Sequence, residues 1–309
     1  MVMEIIEIYS NQMVDIKQAS IACIGFFDGV HKGHQELIHT TIKKAKEEGL
    51  LAACITFHKD PWHVLFPHKE ISNITPPQKR LAYIEAFGIE RCYLLHFDTN
   101  MANLSKEAFV SLLQTLQIKW IVAGDDFRFA KHNEGDITYL NTCIPTIVCE
   151  TIMQDKQRIA SSTIEKAIEE GNMQFASVCL GRDYTIEGEV VYGNQVGRKL
   201  GFPTANLKMK DHYIIPKLGV YAGFVHYEDC IYKALINVGH NPTLNYQRNI
   251  SIEAFILDFH QDLYGKQIRI DFHEYLREEQ KFHSKEELIM QLNKDVETLR
   301  SKKNETRII

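Results

Sequence analysis

The sequence predicts two domains of different fold class: a doubly wound α/β domain, then an antiparallel β-barrel with a C-terminal helix. A chain of 309 residues is long enough for two hydrophobic cores. Between residues 19 and 150 short apolar runs alternate with amphipathic segments, which is typical of a parallel sheet with helices on both faces. From residue 184 short β-rich runs are separated by Gly, Pro, Asn and Asp, which indicates a closed antiparallel barrel. We therefore place the domains at 1–183 and 184–309.

Hydrophobic periodicity predicts the elements of the first half. Apolar residues recur at helical spacing from Leu37 to Ala45, and Gly49 follows as a C-cap. Ser105 begins another helix, and a helix near residue 173 ends at Gly181, at the join between the halves. Buried strands are expected at 21–27, 51–57, 91–97, 120–123 and 146–148.

The second half contains β-rich runs and one long amphipathic segment. The strands are expected at 189–192, 219–227, 231–238, 251–259 and 267–272. Ser284 and Glu287 form a capping box at the start of a helix. Its apolar stripe, which we expect to pack on the barrel, consists of Leu288, Leu292, Val296 and Leu299.

Composition excludes several classes of function. The formal charge of −5 gives no basic footprint, so a general nucleic-acid binder is not expected. The seven cysteines are scattered without a CxxC pair, which argues against a disulfide framework or a zinc site and favours a reducing cytoplasm. The chain shows neither a signal peptide nor an apolar run of transmembrane length. We predict a cytoplasmic protein with small-molecule partners and no membrane partner.

The first predicted strand runs into the string GFFDGVHKGH at residues 25–34. In doubly wound folds ligands bind at the carboxyl ends of the strands, where the next helix offers free N–H groups. His31 and His34, three residues apart at that helix start, can both face a triphosphate and stabilise charge on the α-phosphate and the leaving pyrophosphate. A lone histidine there would more often be incidental, but the complete string favours a phosphate site.

This string resembles the HxGH signature of the nucleotidyltransferase superfamily, in the form found in bacterial FMN adenylyltransferases. The segment VAGDDFRF at 122–129 is similar to a second element of that family. The resemblance implies that His31 and His34 are catalytic. It further implies a set of nucleotide-binding residues: Gly25, Phe27, Asp28, Gly33, Asp126, Ser161 and Ser162.

Two segments depart from the family pattern. The family usually has Thr-Phe-Asp-Pro-His-Pro where this chain has TFHKDP at 56–61. The family's Ile-Ser-Ser-Thr-x-Ile-Arg becomes IASSTIE at 159–165, so that Glu165 replaces an arginine expected to meet ATP phosphates. A carboxylate facing a triphosphate is repulsive, and Arg158 and Lys166 are nearby cations that can compensate.

The most specific motif is GEVVYGNQVGRKLGFPTANL at 188–207. Glycines at this spacing let backbone N–H groups approach a phosphate chain, and the oxygens of Thr204 and Asn206 suit Mg²⁺ held jointly with a nucleotide. The glycines alone would indicate a hairpin with a proline-fixed turn. With GFPTAN attached, the segment resembles the signature of riboflavin kinases. The resemblance implies nucleotide binding by Gly193, Gly197, Lys199 and Thr204, and Mg²⁺ binding by Thr204 and Asn206.

Two further strings support the same resemblance. NVGHNPT at 237–243 and the run SIEAFILDF at 251–259 match riboflavin kinase elements. Strand alternation puts Glu253 on a face with Phe255 and Leu257, where a carboxylate is costly unless it has a task or a partner. The resemblance makes Glu253 the base that accepts the proton of the ribityl hydroxyl, and a structural salt bridge is the alternative.

The string LREEQKF at 276–282 also matches, and in that family this segment closes over the flavin. The match implies that Arg277 and Phe282 contact the flavin.

Together these motifs cover nearly the whole chain and resemble the bacterial bifunctional riboflavin kinase/FMN adenylyltransferase family, or FAD synthetases. The resemblance implies ATP, riboflavin and FMN as substrates, FAD as product, and Mg²⁺ with ATP. One alternative is a riboflavin kinase whose first domain has lost catalysis and remains as a binding module. The other is a non-catalytic flavin-binding protein. Supplying Mg²⁺, ATP and either riboflavin or FMN, and resolving the flavin products, separates all three.

Overall fold

The computed structural model describes residues 2–12, 14–68, 71–193, 197, 200–240 and 250–302. The chain divides into two compact units, Met1–Ser161 and Ser162–Ile309, called here the N-terminal and C-terminal units. In the described part of the chain, no helix is both long enough and apolar enough to cross a membrane. All seven cysteines are free thiols.

The N-terminal unit is built on a six-stranded parallel sheet in the order β1-β4-β3-β2-β5-β8. Its strands are β1 (Glu4–Ile8), β2 (Ser20–Ile24), β3 (Leu51–Phe57), β4 (Arg91–Leu95), β5 (Ile118–Gly124) and β8 (Thr146–Cys149). Two short hairpins are formed by β6 (Arg128–Phe129) with β7 (Gly135–Asp136), and β9 (Met153–Gln154) with β10 (Gln157–Arg158). The parallel sheet confirms the prediction for this half, although β1 was not predicted. The strand order reverses between β2 and β5, where ligands bind in doubly wound folds.

Helices cover both faces of this sheet. They are α1 (Lys32–Glu48), α2 (Trp62–Leu65), α3 (Pro77–Ala86), α4 (Thr99–Ala102), α5 (Lys106–Thr115) and α6 (Ile137–Cys143). Alternate residues of the central strand β2 face opposite layers. Ile21 and Cys23 pack with α1 and α3, whereas Ala22 and Ile24 pack with α5 and α6. This two-sided burial explains why the strands read as continuous apolar runs.

The C-terminal unit is a closed six-stranded barrel in the order β11-β12-β15-β14-β13-β16, with antiparallel neighbours. Its elements are α7 (Ser161–Glu169), α8 (Met173–Leu180), β11 (Tyr184–Val191), β12 (Thr204–Met209), β13 (Gly219–Tyr227), β14 (Cys230–His240), β15 (Ile250–Ile256), β16 (Gln267–Arg277) and α9 (Lys285–Ser301). The barrel and the C-terminal helix were both predicted, whereas β12 was not. Gly181 ends α8 in a left-handed conformation, with φ of 77°, as a C-cap glycine should.

The outer face of the barrel carries α9. Leu235 and Leu257 on the barrel form an apolar cluster with Leu299 of α9, and Val296 packs against this cluster. This half of the predicted stripe therefore packs on the barrel. Ser284 caps α9 by accepting the N–H of Glu287 at 3.1 Å, and Glu287 accepts the N–H of His283 at 2.9 Å. The predicted helix start is correct.

Candidate active sites

A tight turn leads from β2 into α1. Phe27 and Val30 have positive φ angles of 60° and 42°. A left-handed backbone is unfavourable for both residues, and most of all for β-branched Val30. Such conformations cost of order 1–3 kcal/mol each and persist where the surroundings fix them, often at functional sites. The strained turn presents the two histidines at the carboxyl end of β2.

His31 and His34 form one stacked unit at the start of α1. Their ring centroids lie 3.6 Å apart with an interplanar angle of 18°, and Nδ1 of His31 caps the helix by accepting the N–H of His34 at 3.3 Å. A Cβ on Gly33 would lie 3.1 Å from Cε1 of His31, so a glycine here leaves room for that ring. Burial, then the charges of His31 and Arg80, hold the pKa of His34 well below its ordinary value. Its imidazole is therefore neutral and can donate one N–H to an anion.

A cavity of about 250 Å³, called here the N-terminal cavity, opens at the switch point between β2 and β5. It is lined by Ile24, Gly25, His31, Gly33, His34, Leu37, Gly124, Asp125, Asp126, Phe127, Cys149, Glu150, Thr151, Ile152, Arg158, Ile159, Ala160 and Ser161. The structure thus brings together Gly25, both histidines, Gly33, Asp126 and Ser161 around one cavity. Their contacts with a nucleotide stay predictions.

Carboxylates at the end of β5 form the opposite wall. The hydroxyl of Thr151 donates to Asp125 at 2.8 Å and lowers the pKa of that carboxyl. Asp126 forms an ion pair with Arg158, and both side chains are about half exposed. Exposed pairs of this kind are worth at most about 1 kcal/mol, so a phosphate can compete for the guanidinium. Arg158, one of the two cations expected to compensate for the missing arginine, lines the cavity, whereas Lys166 lies exposed beside Glu170.

Three residues that were predicted to bind the nucleotide do not line the cavity. Phe27 is fully buried behind it, with its ring edge-on to His34. Asp28 is buried as well, and its carboxylate accepts three backbone N–H groups. Ser161 lines the cavity and donates to the carbonyl of Asp28 at 3.2 Å, but Ser162 is exposed on α7 and does not line it. Nucleotide contacts by Phe27, Asp28 and Ser162 stay predictions.

The residues in the altered family segments have local structural partners. The ring of His58 stacks on that of His96 at 4.4 Å, beyond the end of β3. Asp60 is buried, and its carboxylate accepts the N–H of Trp62 at 2.8 Å at the start of α2. Neither residue is among those that line the N-terminal cavity, and the lining ends at Ser161 before Glu165 on α7.

A second cavity, of about 340 Å³, lies in the C-terminal unit between the outer face of the barrel and α9, and is called here the barrel cavity. It is lined by Gly197, Leu200, Phe202, Thr204, Val220, Leu235, Asn237, Glu253, Phe255, Arg277, Glu279, Gln280, Phe282, Leu288, Leu292 and Asp295. Leu288 and Leu292, which belong to the stripe expected to pack on the barrel, line this cavity. Five of the residues predicted for the kinase site line it as well: Gly197, Thr204, Glu253, Arg277 and Phe282.

Strand register assembles a polar group at the barrel cavity, which Thr204, Asn237 and Glu253 line and Asn206 does not. Asn206 on β12 and Asn237 on β14 are both the direct cross-strand partners of Glu253 on β15, so the three side chains share one face. The hydroxyl of Thr204 donates to Oε2 of Glu253 at 3.0 Å. The predicted alternation is confirmed, because Ile252 and Ala254 are buried while Glu253 and Phe255 line the cavity. Asn237 was not predicted as a site residue, although it begins a matched string and its register identifies it.

Two glycines of the motif make room for neighbouring groups. A Cβ on Gly193 would lie 2.4 Å from Oδ1 of Asn206, and a Cβ on Gly197 would lie 2.3 Å from the carbonyl oxygen of Phe202. Only glycine fits either position without movement. Lys199 and residues 241–243 of the predicted turn lie outside the described residues.

Arg277 holds α9 against the barrel. Its Nε and Nη2 contact the carboxylate of Asp295 at 2.7 to 3.2 Å, and Gln291 donates to the same carboxylate at 2.7 Å. The carboxylate of Glu279 lies against Gly239, where a Cβ would be 2.3 Å from its Oε1. The sequence did not point to Asp295, which lies outside the matched string that contains Arg277. Glu279 belongs to that string but was not predicted as a site residue.

Comparisons with known proteins match each half of the chain to a different family model. The family model described as FAD synthetase matches residues 14–168, and the model described as riboflavin kinase matches residues 180–302. The bifunctional riboflavin kinase/FMN adenylyltransferase of Bacillus subtilis is 37% identical, over 93% of this chain and 94% of the relative. That of Listeria monocytogenes is 35% identical, over 95% of each chain.

The chain belongs to the bifunctional riboflavin kinase/FMN adenylyltransferase family. Its N-terminal cavity lies within the region matched by the FAD synthetase model, and its barrel cavity within the region matched by the riboflavin kinase model. The same two-unit fold occurs in a crystal structure described as a macrolide-efflux protein from Streptococcus pneumoniae. That structure has a TM-score of 0.90 and 32% identity, covering 97% of this chain and 99% of that one.

Proposed function

We propose that this family member makes FAD in two steps, at two separate sites. The C-terminal unit transfers the γ-phosphoryl group of ATP to riboflavin, giving FMN and ADP. The N-terminal unit then joins FMN to the AMP part of a second ATP, giving FAD and pyrophosphate. The names and coverage of the curated relatives support both activities over a kinase with a lapsed first domain.

The single observation that carries the kinase assignment is the placement of Glu253. Its carboxylate lines a largely apolar cavity and accepts the hydroxyl of Thr204. A carboxylate there can accept the proton of the ribityl 5′-hydroxyl as its oxygen attacks the γ-phosphorus, which is ordinary general-base catalysis. Phe255, Phe202 and the leucines of α9 supply the apolar surface that a flavin ring needs. Arg277, fixed by Asp295, and Phe282 are the proposed flavin contacts.

The donor set beside Glu253 suits magnesium brought in with ATP. Thr204 and Asn206 offer hard neutral oxygens, and Gly193 leaves the space that the Asn206 amide occupies. Mg²⁺ bound there would neutralise charge on the β- and γ-phosphates. Gly193, Gly197 and Lys199 are proposed to bind the phosphates.

The adenylyl step is assigned to the stacked histidines. In this reaction a phosphate oxygen of FMN attacks the α-phosphorus of ATP, and the bond to pyrophosphate breaks. His31 and His34 lie at the N-terminal end of α1, where their N–H groups and the helix dipole face developing negative charge. Arg158 can leave Asp126 and pair with the phosphates. Gly25, Gly33, Asp126 and Ser161 complete the proposed nucleotide site.

We assign the functional boundary to residues 183 and 184 and the working compartment to the cytoplasm. The free thiols support a reducing compartment. The protein incubated with Mg²⁺, ATP and riboflavin should yield FMN and then FAD on chromatography, and with FMN it should yield FAD. Formation of FMN but no FAD at millimolar Mg·ATP would leave only the kinase assignment standing.

A further inference from the structure

A fully buried arginine lies beside the histidine turn. Arg80, in the first turn of α3, has 0% of its surface exposed. Its Nη2 donates to the carbonyl of Phe57 at the end of β3 at 2.5 Å, and its guanidinium lies 4.4 Å from the ring centroid of Phe26, just after β2. Within the described parts of the chain, its Nε and Nη1 have no hydrogen-bond partner. A buried guanidinium with two unused donors is costly unless its charge serves a neighbour.

The neighbour is Asp28, which interacts electrostatically with Arg80 and binds the segment that leads into α3. This carboxylate is 4% exposed and accepts the N–H groups of Gly29, Ile74 and Thr75 at 2.8, 2.9 and 2.8 Å. Ile74 and Thr75 directly precede α3, so Asp28 ties the histidine turn to the helix that carries Arg80. Burial raises the pKa of Asp28, while the three N–H groups and the charge of Arg80 oppose that rise.

The turn that Asp28 holds is the strained one. Asp28 and Gly29 lie between Phe27 and Val30, the two non-glycine residues of the turn with positive φ, and His31 follows at once. A protonated Asp28 would lose an acceptor for one of the three N–H groups, because a carboxylic acid has less acceptor capacity than a carboxylate. The histidines would then lose part of the support that fixes them.

Other titratable groups lie within reach of the same charge. Arg80 acts electrostatically on His34 at the start of α1, on Asp60 after β3, and on the thiols of Cys54 and Cys92 in β3 and β4. A test must therefore separate Asp28 from His34, whose pKa Arg80 also lowers.

We propose that Arg80 is a positioning residue for adenylyl transfer: its buried charge keeps Asp28 ionised, and ionised Asp28 holds the turn that presents His31 and His34. Arg80 touches no reacting atom in this account. The inference rests on the proposed adenylyl transfer at the N-terminal cavity, and it names the group on which that site depends.

The test is the pH profile of FAD formation from FMN, with FMN formation from riboflavin as the internal control for folded protein. Arg80→Met should move the acid limb of FAD formation upward by roughly one pH unit, the low end of the effect of a nearby opposite charge. The limb moves to higher pH because removal of a nearby positive charge raises the pKa of the Asp28 carboxyl. Arg80→Lys retains the positive charge, so the acid limb should stay at its wild-type pH although the hydrogen bond to the carbonyl of Phe57 changes. The profile of FMN formation should not move in either variant.

Arg91→Met is the matched control, since Arg91 is also buried in the N-terminal unit. It sits at the opposite end of the sheet, bonded to Glu4, Tyr93 and the carbonyl of Gln18. This variant should lower the thermal midpoint without moving the limb. Asp28→Asn supplies the second arm. It should lower FAD formation at every pH and remove the titration of Asp28, so adding Arg80→Met to it should not shift the profile that remains.

Each possible outcome either supports or overturns the role proposed for Arg80. A shift that persists in the double variant would assign the limb to His34 and overturn the proposal. If the acid limb shifts equally in Arg80→Lys and Arg80→Met, the charge of Arg80 is not the cause and its role is only structural. The same conclusion follows if Arg91→Met shifts the limb as much as Arg80→Met does. No FAD from the wild-type protein at any pH would instead refute the proposed adenylyl transfer itself.

Discussion

The two cavities hold their reactive groups in different ways. In the barrel, Glu253 and its neighbours Asn206 and Asn237 lie on three adjacent strands, where register and alternation fix the direction of each side chain. In the N-terminal unit, His31 and His34 lie at a helix start after a turn in which Phe27, Gly29 and Val30 have positive φ angles. The first arrangement follows the regular geometry of the sheet, whereas the second follows a turn in which the buried Asp28 carboxylate accepts three backbone N–H groups. The comparison predicts that the two sites fail separately and for different reasons.

The largest expected effect breaks the N-terminal site alone. His34→Ala removes one donor and the ring on which His31 stacks, so FAD formation from FMN should be abolished. FMN formation by the other unit should continue at the wild-type rate. His39→Ala, an exposed histidine on the same helix, is the control and should retain both activities. Residual FAD formation above a tenth of the wild-type rate would contradict the role of the stacked pair.

The next effect breaks the barrel site alone. Glu253→Gln is nearly isosteric and should leave the barrel folded, yet it should lower FMN formation by roughly 10²–10⁴, the usual contribution of a general base. Glu189→Gln, on β11 away from the cavity, is the matched control. Chromatography of the flavin products measures FMN formation by both variants. A folded Glu253→Gln protein with wild-type FMN production would exclude the base assignment.

This contrast also explains how far the sequence could be interpreted. Alternation in a strand predicted the cavity-facing position of Glu253, because a strand has only two faces. Periodicity could not predict that Asp28 turns inward, because the left-handed backbone at Phe27 and Val30 redirects the side chains between them. The burial of Arg80 and the pairing of Arg277 with Asp295 depend on contacts between distant segments, which one sequence does not contain.

The third prediction concerns the ion pair between Arg277 and Asp295, which joins α9 to the barrel. Asp295→Asn removes the charge that faces Arg277 in a largely buried ion pair. Loss of such a charged hydrogen bond should cost about 2 kcal/mol, and lower the thermal midpoint by roughly 4–8 °C for a unit of this size. Riboflavin affinity should fall with it, since Arg277 loses its fixed orientation.

Asp258→Asn is the comparison for that variant. Asp258 pairs with Arg300 at 2.6 Å, but both side chains are more than half exposed. Exposed pairs contribute little, so this change should leave the midpoint within about 1 °C. Equal midpoints for the two variants would show that the Arg277–Asp295 pair does not anchor α9.

The smallest effect separates nucleotide from flavin binding. Asn206→Ala should raise the KM for Mg·ATP in the kinase reaction roughly tenfold, equivalent to about 1.4 kcal/mol, because it removes a proposed oxygen ligand. Gly193→Ala should act in the same direction, since its Cβ would displace the Asn206 amide. Asn293→Ala, exposed on α9, should change nothing. A larger loss of riboflavin affinity than of Mg·ATP use, measured by flavin fluorescence quenching, would reverse the assignment.

The most direct test of two independent sites in one chain is complementation between His34→Ala and Glu253→Gln. Each variant, and an equimolar mixture of both, is supplied with riboflavin and Mg·ATP, and the flavins are resolved over time. His34→Ala alone should accumulate FMN, Glu253→Gln alone should leave riboflavin largely unchanged, and the mixture should produce FAD. A mixture that yields no FAD, or either variant losing both activities, would contradict the separation of the two sites.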